Sequence, residues 1–218
     1  MGEITTANAL LEVTNVRNSV GNGTTKPHYG VIDEKLCVIK GINNPEKHLV
    51  LFNEYFGYSL AKILGLNTPD FGFALISHKT LFDDERKKKY FIPGCLCFFT
   101  TYIEKTVLLR GVKQLSGAEE SDLLGILLFD LLICNIDRNP GNLLLRKPKN
   151  QNLTMYPIDY THAFELQAIW DQGQLSRYVK EPREEIDLER IHTQRIHQDI
   201  KEAKTFRAEN IEGCISYF

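Results

Sequence analysis

Residues 134–142 read Cys-Asn-Ile-Asp-Arg-Asn-Pro-Gly-Asn, and residues 156–164 read Tyr-Pro-Ile-Asp-Tyr-Thr-His-Ala-Phe. An apolar run leads into the first stretch, where Asn, Pro and Gly supply the turn chemistry that stops a helix and exposes side chains. Asp137 and Asn142 stand in that turn as an Asp-x4-Asn pair. In the second stretch Asp159 closes a short apolar run, where a strand can deliver a carboxylate to the end of a sheet. The elements that carry these three residues govern how the rest of the chain is read.

Upstream, Ser116 and Glu119 form a Ser-x-x-Glu capping box, which predicts a long apolar helix ending near Asn135. Short strands are expected near 143–145 and 153–158, and helical character from about Glu184 to Ala203. At the other end, Leu10 to Val16 alternates as a strand should. A loop from Asn18 to His28 follows, then strands over 28–32 and 36–39 that end in Lys40. Asn44-Pro45 is a good helix start, and Gly65 a good left-handed stop. Phe71 to Ile76 and Gly94 to Tyr102 read as further strands. Strands first and helices later make an α+β chain, with a β-rich lobe over 1–103 and a helical lobe over 104–218 that together form one domain.

Bulk properties narrow the classes. A chain of 218 residues suits one domain or two small lobes around a cleft. Net charge is −2 and no basic stretch is long enough to follow a phosphate backbone, so nucleic acid is not the expected partner. The one basic run, Arg86 to Lys89, follows Asp83-Asp84-Glu85 and reads as a solvated loop. Five irregularly spaced cysteines read as reduced thiols of a cytoplasmic protein, and Cys95-x-Cys97 is too short for a zinc site. No signal peptide is recognisable, and the Met-Gly-x-x-x-Thr pattern through Gly2 and Thr6 is read as coincidence. The apolar run Leu123 to Cys134 is interrupted by Asp130 and too short to span a bilayer.

The residue types point to phosphoryl transfer. That reaction needs a carboxylate to orient or deprotonate the attacking hydroxyl, and oxygen ligands to hold magnesium on the phosphates. Asp137 suits the first role; Asn142 and Asp159 suit the second. Arg138 could neutralise developing charge or pair with a carboxylate. Lys40 closes an apolar strand from which it could neutralise phosphates. Val50, Glu54, Gly57 and Ala61 share one helical stripe, which turns Glu54 inward, and an inward Glu needs a cationic partner. Lys40 is the expected one. Gly21, Gly23, Thr24, Thr25 and Lys26 lie between two strands, where glycine amides and threonine hydroxyls can approach phosphate oxygens. Asp130 is expected to brace the loop that follows its helix, and His162 to be structural. His192 and His197 do not share a helix face.

These pieces resemble the HipA-like kinases, particularly the compact bacterial group. The resemblance runs in family order through Gly-Asn-Gly-Thr-Thr-Lys, the strand ending in Lys40, the helix containing Glu54, the 134–142 loop and the Asp159 stretch, over roughly residues 10 to 170. It implies a bilobal kinase-like fold, ATP with magnesium, and transfer to a serine or threonine of a protein. It also implies that Asp137 is catalytic, that Asn142 and Asp159 bind metal, and that Lys40 binds nucleotide. The Asp-Arg-x-x-x-Asn loop is also similar to that of phosphatidylinositol kinases. A lipid or small-molecule kinase, a nucleotidyl transferase or a nucleotide-binding pseudokinase therefore stay as alternatives. The metal stretch reads Asp-Tyr-Thr rather than Asp-Phe-Gly.

Overall fold

The computed structural model of the chain describes residues 10–21, 23–115, 118, 120–135, 137–147 and 152–164. The capping box at Ser116 and Glu119, the helical stretch 184–203, the Gly2 and Thr6 pattern, and His192, His197 and Cys214 lie outside the described residues. The chain divides into two compact units. One takes residues up to Leu51 and Asp70–Tyr102; the other takes Phe52–Pro69 and the residues from Ile103 onward.

The first unit is built on a six-stranded sheet. Its strands are β1 (Val13–Ser19), β2 (His28–Ile32), β3 (Lys35–Gly41), β4 (Phe71–Leu75), β5 (Leu81–Phe82) and β6 (Leu96–Thr101), in the order β4-β6-β3-β2-β1-β5. All neighbours are antiparallel except β1 and β5. Alternation sets the faces: His28, Gly30 and Ile32 of β2 point inward while Tyr29 and Val31 do not. Val16, Ile32, Ile39, Ala74, Phe91 and Phe99 meet in one apolar core. Asp33 and Glu34 form the whole β2–β3 turn, both at positive φ (49° and 60°), as a two-residue hairpin of the primed type requires.

The charged segment after β5 is a short 3-10 turn, Glu85–Lys89, capped by Asp84, whose side chain accepts from the Arg86 amide. Three of its four basic residues pair with acids in or just before the turn: Arg86 with Asp84, Lys87 with Asp83 and Lys88 with Glu85, while the Lys89 ammonium lies over the Tyr90 ring. Pairs of this exposed kind contribute little to stability, but they remove the run as an uncompensated basic patch.

Helix α1 (Leu49–Ile63) begins later than Asn44-Pro45 predicts. The Asn44 side chain is spent on a local turn: its oxygen accepts from the Glu46 amide, and its nitrogen donates to the Gly41 and Lys47 carbonyls. An Asx turn competes with helix capping for the same atoms. The C-terminus follows expectation. Gly65 adopts φ 79°, its N–H reaches the Lys62 carbonyl, and the Leu66 N–H reaches the Ala61 carbonyl, which is the Schellman closure.

The second unit adds α2 (Glu120–Leu132) and a three-stranded antiparallel sheet, β7 (Thr106–Leu108), β8 (Leu143–Arg146) and β9 (Thr154–Pro157), ordered β7-β8-β9. Leu123, Ile126 and Leu127 of α2 pack on Leu143, Leu145 and Met155 of the sheet. Residues 52–69 group with this unit, whereas the sequence reading kept them with 1–103. Their inward face explains it: Gly57 and Tyr58 pack on Tyr160. Among the described residues no helix is long and apolar enough to cross a membrane.

Candidate active site

Hairpin register brings Asn142 and Asp159 together. Leu143 pairs with Pro157, and the pairing continues one step further, where the Ile158 N–H donates to the Asn142 carbonyl at 3.0 Å. Asn142 thus precedes β8 just where Asp159 follows β9. Asp159 adopts φ 64°, a left-handed conformation that Asp tolerates better than most residues. Its Oδ1 accepts from the Thr161 amide at 3.2 Å, which steadies that turn.

The loop from α2 to β8 is held by polar side chains. Cys134 turns left-handed (φ 50°) after the helix. Asn135 donates to Asp130 Oδ1 at 2.9 Å and accepts from the Asp137 amide at 3.3 Å. Asn139 caps a short turn over Pro140–Asn142 and donates to the Asp137 carbonyl. The Asn142 amide nitrogen donates to that same carbonyl at 3.0 Å and, more weakly, to Asp137 Oδ2 at 3.4 Å.

Arg138 ties these pieces. Its Nε and Nη2 engage the two Asp130 oxygens at 2.9 and 3.1 Å, and its Nη1 donates to the Asn142 and Ile158 carbonyls, each at 2.6 Å. The Tyr160 ring lies 5.3 Å from the guanidinium carbon. Burial opposes the Arg138 charge, but the Asp130 carboxylate outweighs it and holds the guanidinium pKa above its already high value. Of the two roles that the sequence leaves open for Arg138, this geometry is that of a brace, with Asp130 as its anchor.

Asp137 keeps an exposed edge. Loss of surrounding water raises its carboxyl pKa above the ordinary value, His162 nearby opposes the rise, and the Asp159 charge adds to it. Asp137, Asn142 and Asp159 are therefore neighbours around one braced turn. A raised carboxyl beside a second acid is the environment in which a general base is tuned toward its working range.

Glu54 and Lys40 are both buried, at 1% and 7% exposure. Glu54 belongs to the second unit, where its Oε1 accepts from the Thr161 hydroxyl at 2.9 Å. Lys40 lies on β3 of the first unit, opposite Phe98 of β6. The glycine loop is also in the first unit. There the Lys26 N–H closes a turn on the Gly23 carbonyl, Gly21 (φ 140°) and Lys26 (φ 50°) take positive φ, and Thr25 is buried. Asn53 and Thr161 were not singled out from the sequence. Asn53 donates to the Thr161 and Ala163 carbonyls, a link between residues more than a hundred positions apart that no spacing rule reveals.

A family model described as HipA-like kinase matches residues 13–212. The chain belongs to the HipA-like kinase family. This HipA-like kinase is similar in fold to the proinflammatory kinase CtkA of Helicobacter pylori, at 12% identity and TM-score 0.50 over 94% of this chain and 90% of that one. The choline kinase LicA of Streptococcus pneumoniae aligns more loosely, at 14% identity and TM-score 0.38 over 94% of this chain and 93% of its own. No curated protein sequence matches the chain. The fold is α+β and kinase-like, and the protein is a kinase.

Proposed function

We propose that this kinase takes ATP with magnesium and transfers the γ-phosphoryl group to a serine or threonine hydroxyl of a protein, working in the cytoplasm. The observation that carries the reading is Arg138, whose Nη1 holds the carbonyl of Asn142 and the carbonyl that precedes Asp159. One buried cation thereby fixes the backbone at Asn142 and immediately before Asp159, two residues with oxygen-bearing side chains near Asp137. Amide and carboxylate oxygens are hard donors, and magnesium characteristically takes one or two protein ligands while phosphates and water supply the others. Asn142 fits because its amide nitrogen faces Asp137, which leaves the oxygen side of the same group for a cation. Bound there, magnesium would neutralise charge on the phosphates.

Asp137 orients the acceptor hydroxyl and takes its proton as the oxygen attacks. Arg138 holds the turn. Lys40 neutralises phosphate charge, with Glu54 supporting that function, and Gly21, Gly23, Thr24, Thr25 and Lys26 contribute amides, hydroxyls and charge toward the nucleotide. The β-rich lobe (1–103, apart from residues 52–69, which group with the second unit) carries nucleotide binding, and the later lobe (104–218) carries the catalytic loop. Incubation with γ-labelled ATP and magnesium, followed by mass spectrometry of protein products, tests the reading. Label on Ser or Thr, lost in Asp137→Asn, is the expected result. Label confined to a lipid or small molecule overturns the acceptor class, and none at all under any metal overturns the reaction.

A further inference from the structure

Thr161 stands two residues beyond Asp159, and three of its polar groups are engaged at once. Its N–H donates to Asp159 Oδ1 at 3.2 Å, its carbonyl accepts from Asn53 at 2.9 Å, and its hydroxyl donates to Glu54 Oε1 at 2.9 Å. Thr161 and Glu54 are both buried, at 2% and 1% exposure. The Asp159 carboxylate is thus aimed by a backbone amide whose own position is set from helix α1 by the Asn53–Glu54 pair. A left-handed Asp at φ 64° needs such support, because that conformation is held only where its surroundings over-determine it.

We propose that Thr161 is a positioning residue that sets the Asp159 carboxylate from helix α1, so that metal loading at Asp159 depends on the Thr161 hydroxyl. The inference rests on the reading of Asp159 as a metal ligand. Groups that orient a metal ligand characteristically change metal affinity about 10-fold or more when removed. Valine matches threonine in shape and lacks the hydroxyl; serine keeps the hydroxyl and lacks the methyl.

The test compares wild type, Thr161→Val, Thr161→Ser and Asp159→Asn by calorimetric titration with a non-hydrolysable ATP analogue, with and without magnesium. Thermal unfolding is followed in parallel. Thr161→Val is expected to weaken the magnesium-dependent part of binding about 10-fold, leave magnesium-free binding unchanged, and be rescued largely by Thr161→Ser. Asp159→Asn is expected to lose the magnesium dependence. Unchanged magnesium dependence in Thr161→Val beside a loss in Asp159→Asn overturns the role of Thr161 and leaves the Asp159 reading standing. No change in either overturns both. Equal impairment in Thr161→Val and Thr161→Ser overturns the role of the hydroxyl. Should Thr161→Val fold poorly, Asn53→Ala removes the donor to the Thr161 carbonyl and is expected to weaken magnesium-dependent binding in the same sense; wild-type behaviour there overturns the proposal.

Discussion

Arg138 and Asp130 form a two-point ion pair whose side chains are both shut off from solvent. Desolvating two charges costs several kcal/mol, and mutual attraction offsets it only with good geometry and further hydrogen bonds. Both conditions hold, since Asn135 also donates to Asp130 and two carbonyls accept from Arg138. Arg138→Leu would leave the Asp130 carboxylate buried without its cation. It is expected to cost about 3–5 kcal/mol of folding stability in urea titrations. Arg138→Lys should keep the charge yet lose activity, because an ammonium cannot reproduce the planar fork. In a double-mutant cycle, Asp130→Leu with Arg138→Leu should cost less than the sum of the singles. Additive losses would show that the two residues do not act as a unit.

Gly57 offers a contest between two magnitudes. In a helix interior Gly→Ala gains about 1 kcal/mol of propensity. A Cβ at Gly57, however, would lie 2.5 Å from Tyr160 Cβ and 2.8 Å from Tyr160 Cδ2. Tyr160 cannot retreat freely: Tyr58 and Phe129 meet its ring edge-on, and Arg138 lies over its face. Overpacking of this kind costs about 1–3 kcal/mol and wins over propensity. Gly57→Ala should therefore lower stability. It should also reduce turnover, because displacing Tyr160 displaces its chain neighbour Asp159. A stabilised, fully active Gly57→Ala variant would contradict this packing.

The inward stripe of α1 was legible because helical period alone fixes a face: Val50, Glu54, Gly57 and Ala61 are all buried. The strands around Lys40 were legible for the same kind of reason, since alternation and turn residues act locally. The helix start was not, because Asn44 can cap a helix or close an Asx turn with the same atoms. Strand β7 escaped notice because three residues between loops carry too little pattern. At the candidate site, Asp137, Asn142 and Asp159 were singled out by residue type and spacing, and the fold brings these three candidates together. The brace could not be assigned, since an Arg beside an Asp reads equally as a catalytic charge or a structural one. Only the β8–β9 register shows that one guanidinium reaches the carbonyls of both Asn142 and Ile158. Thr161 gave no signal, because its partners lie on a helix far away in sequence.

The β2–β3 turn is open to improvement. Glu34 occupies left-handed φ with a side chain that disfavours it, at a cost of roughly 1–2 kcal/mol, whereas Asp33, also at positive φ, belongs to a type that tolerates it. Asn-Gly is the pair that primed turns prefer. Glycine loses about 0.5–1 kcal/mol through its greater freedom in the unfolded chain. Strain relief should exceed that loss, so Asp33→Asn with Glu34→Gly is expected to stabilise the protein by about 0.5–1 kcal/mol. The measurement is a higher urea midpoint at unchanged m-value. A lower midpoint would mean that the turn is not of the primed type.

Asp137 should reveal itself through pH as well as through mutation. Burial and the neighbouring Asp159 raise its carboxyl pKa, against His162, Asn142 and Arg138. Catalysis by the carboxylate then needs ionisation above the ordinary value of about 3.9, so the acid limb of kcat/KM should lie above that value. His162→Gln removes an opposing influence and should move the limb higher still. For stability the sign is the reverse of the usual carboxylate case. The folded chain holds this proton to higher pH than the unfolded chain, so the group's contribution falls as pH rises from about 3.9 through the raised pKa. At neutral pH the ionised Asp137 is a net burden on the fold. Asp137→Asn should accordingly leave stability equal or slightly higher while lowering kcat by about 10²-fold or more. Nucleotide affinity should stay within a few-fold, because in the proposed reaction the carboxylate acts on the acceptor and not on the nucleotide. Wild-type turnover in that variant, or a marked loss of stability at pH 7, would remove Asp137 from the role of base.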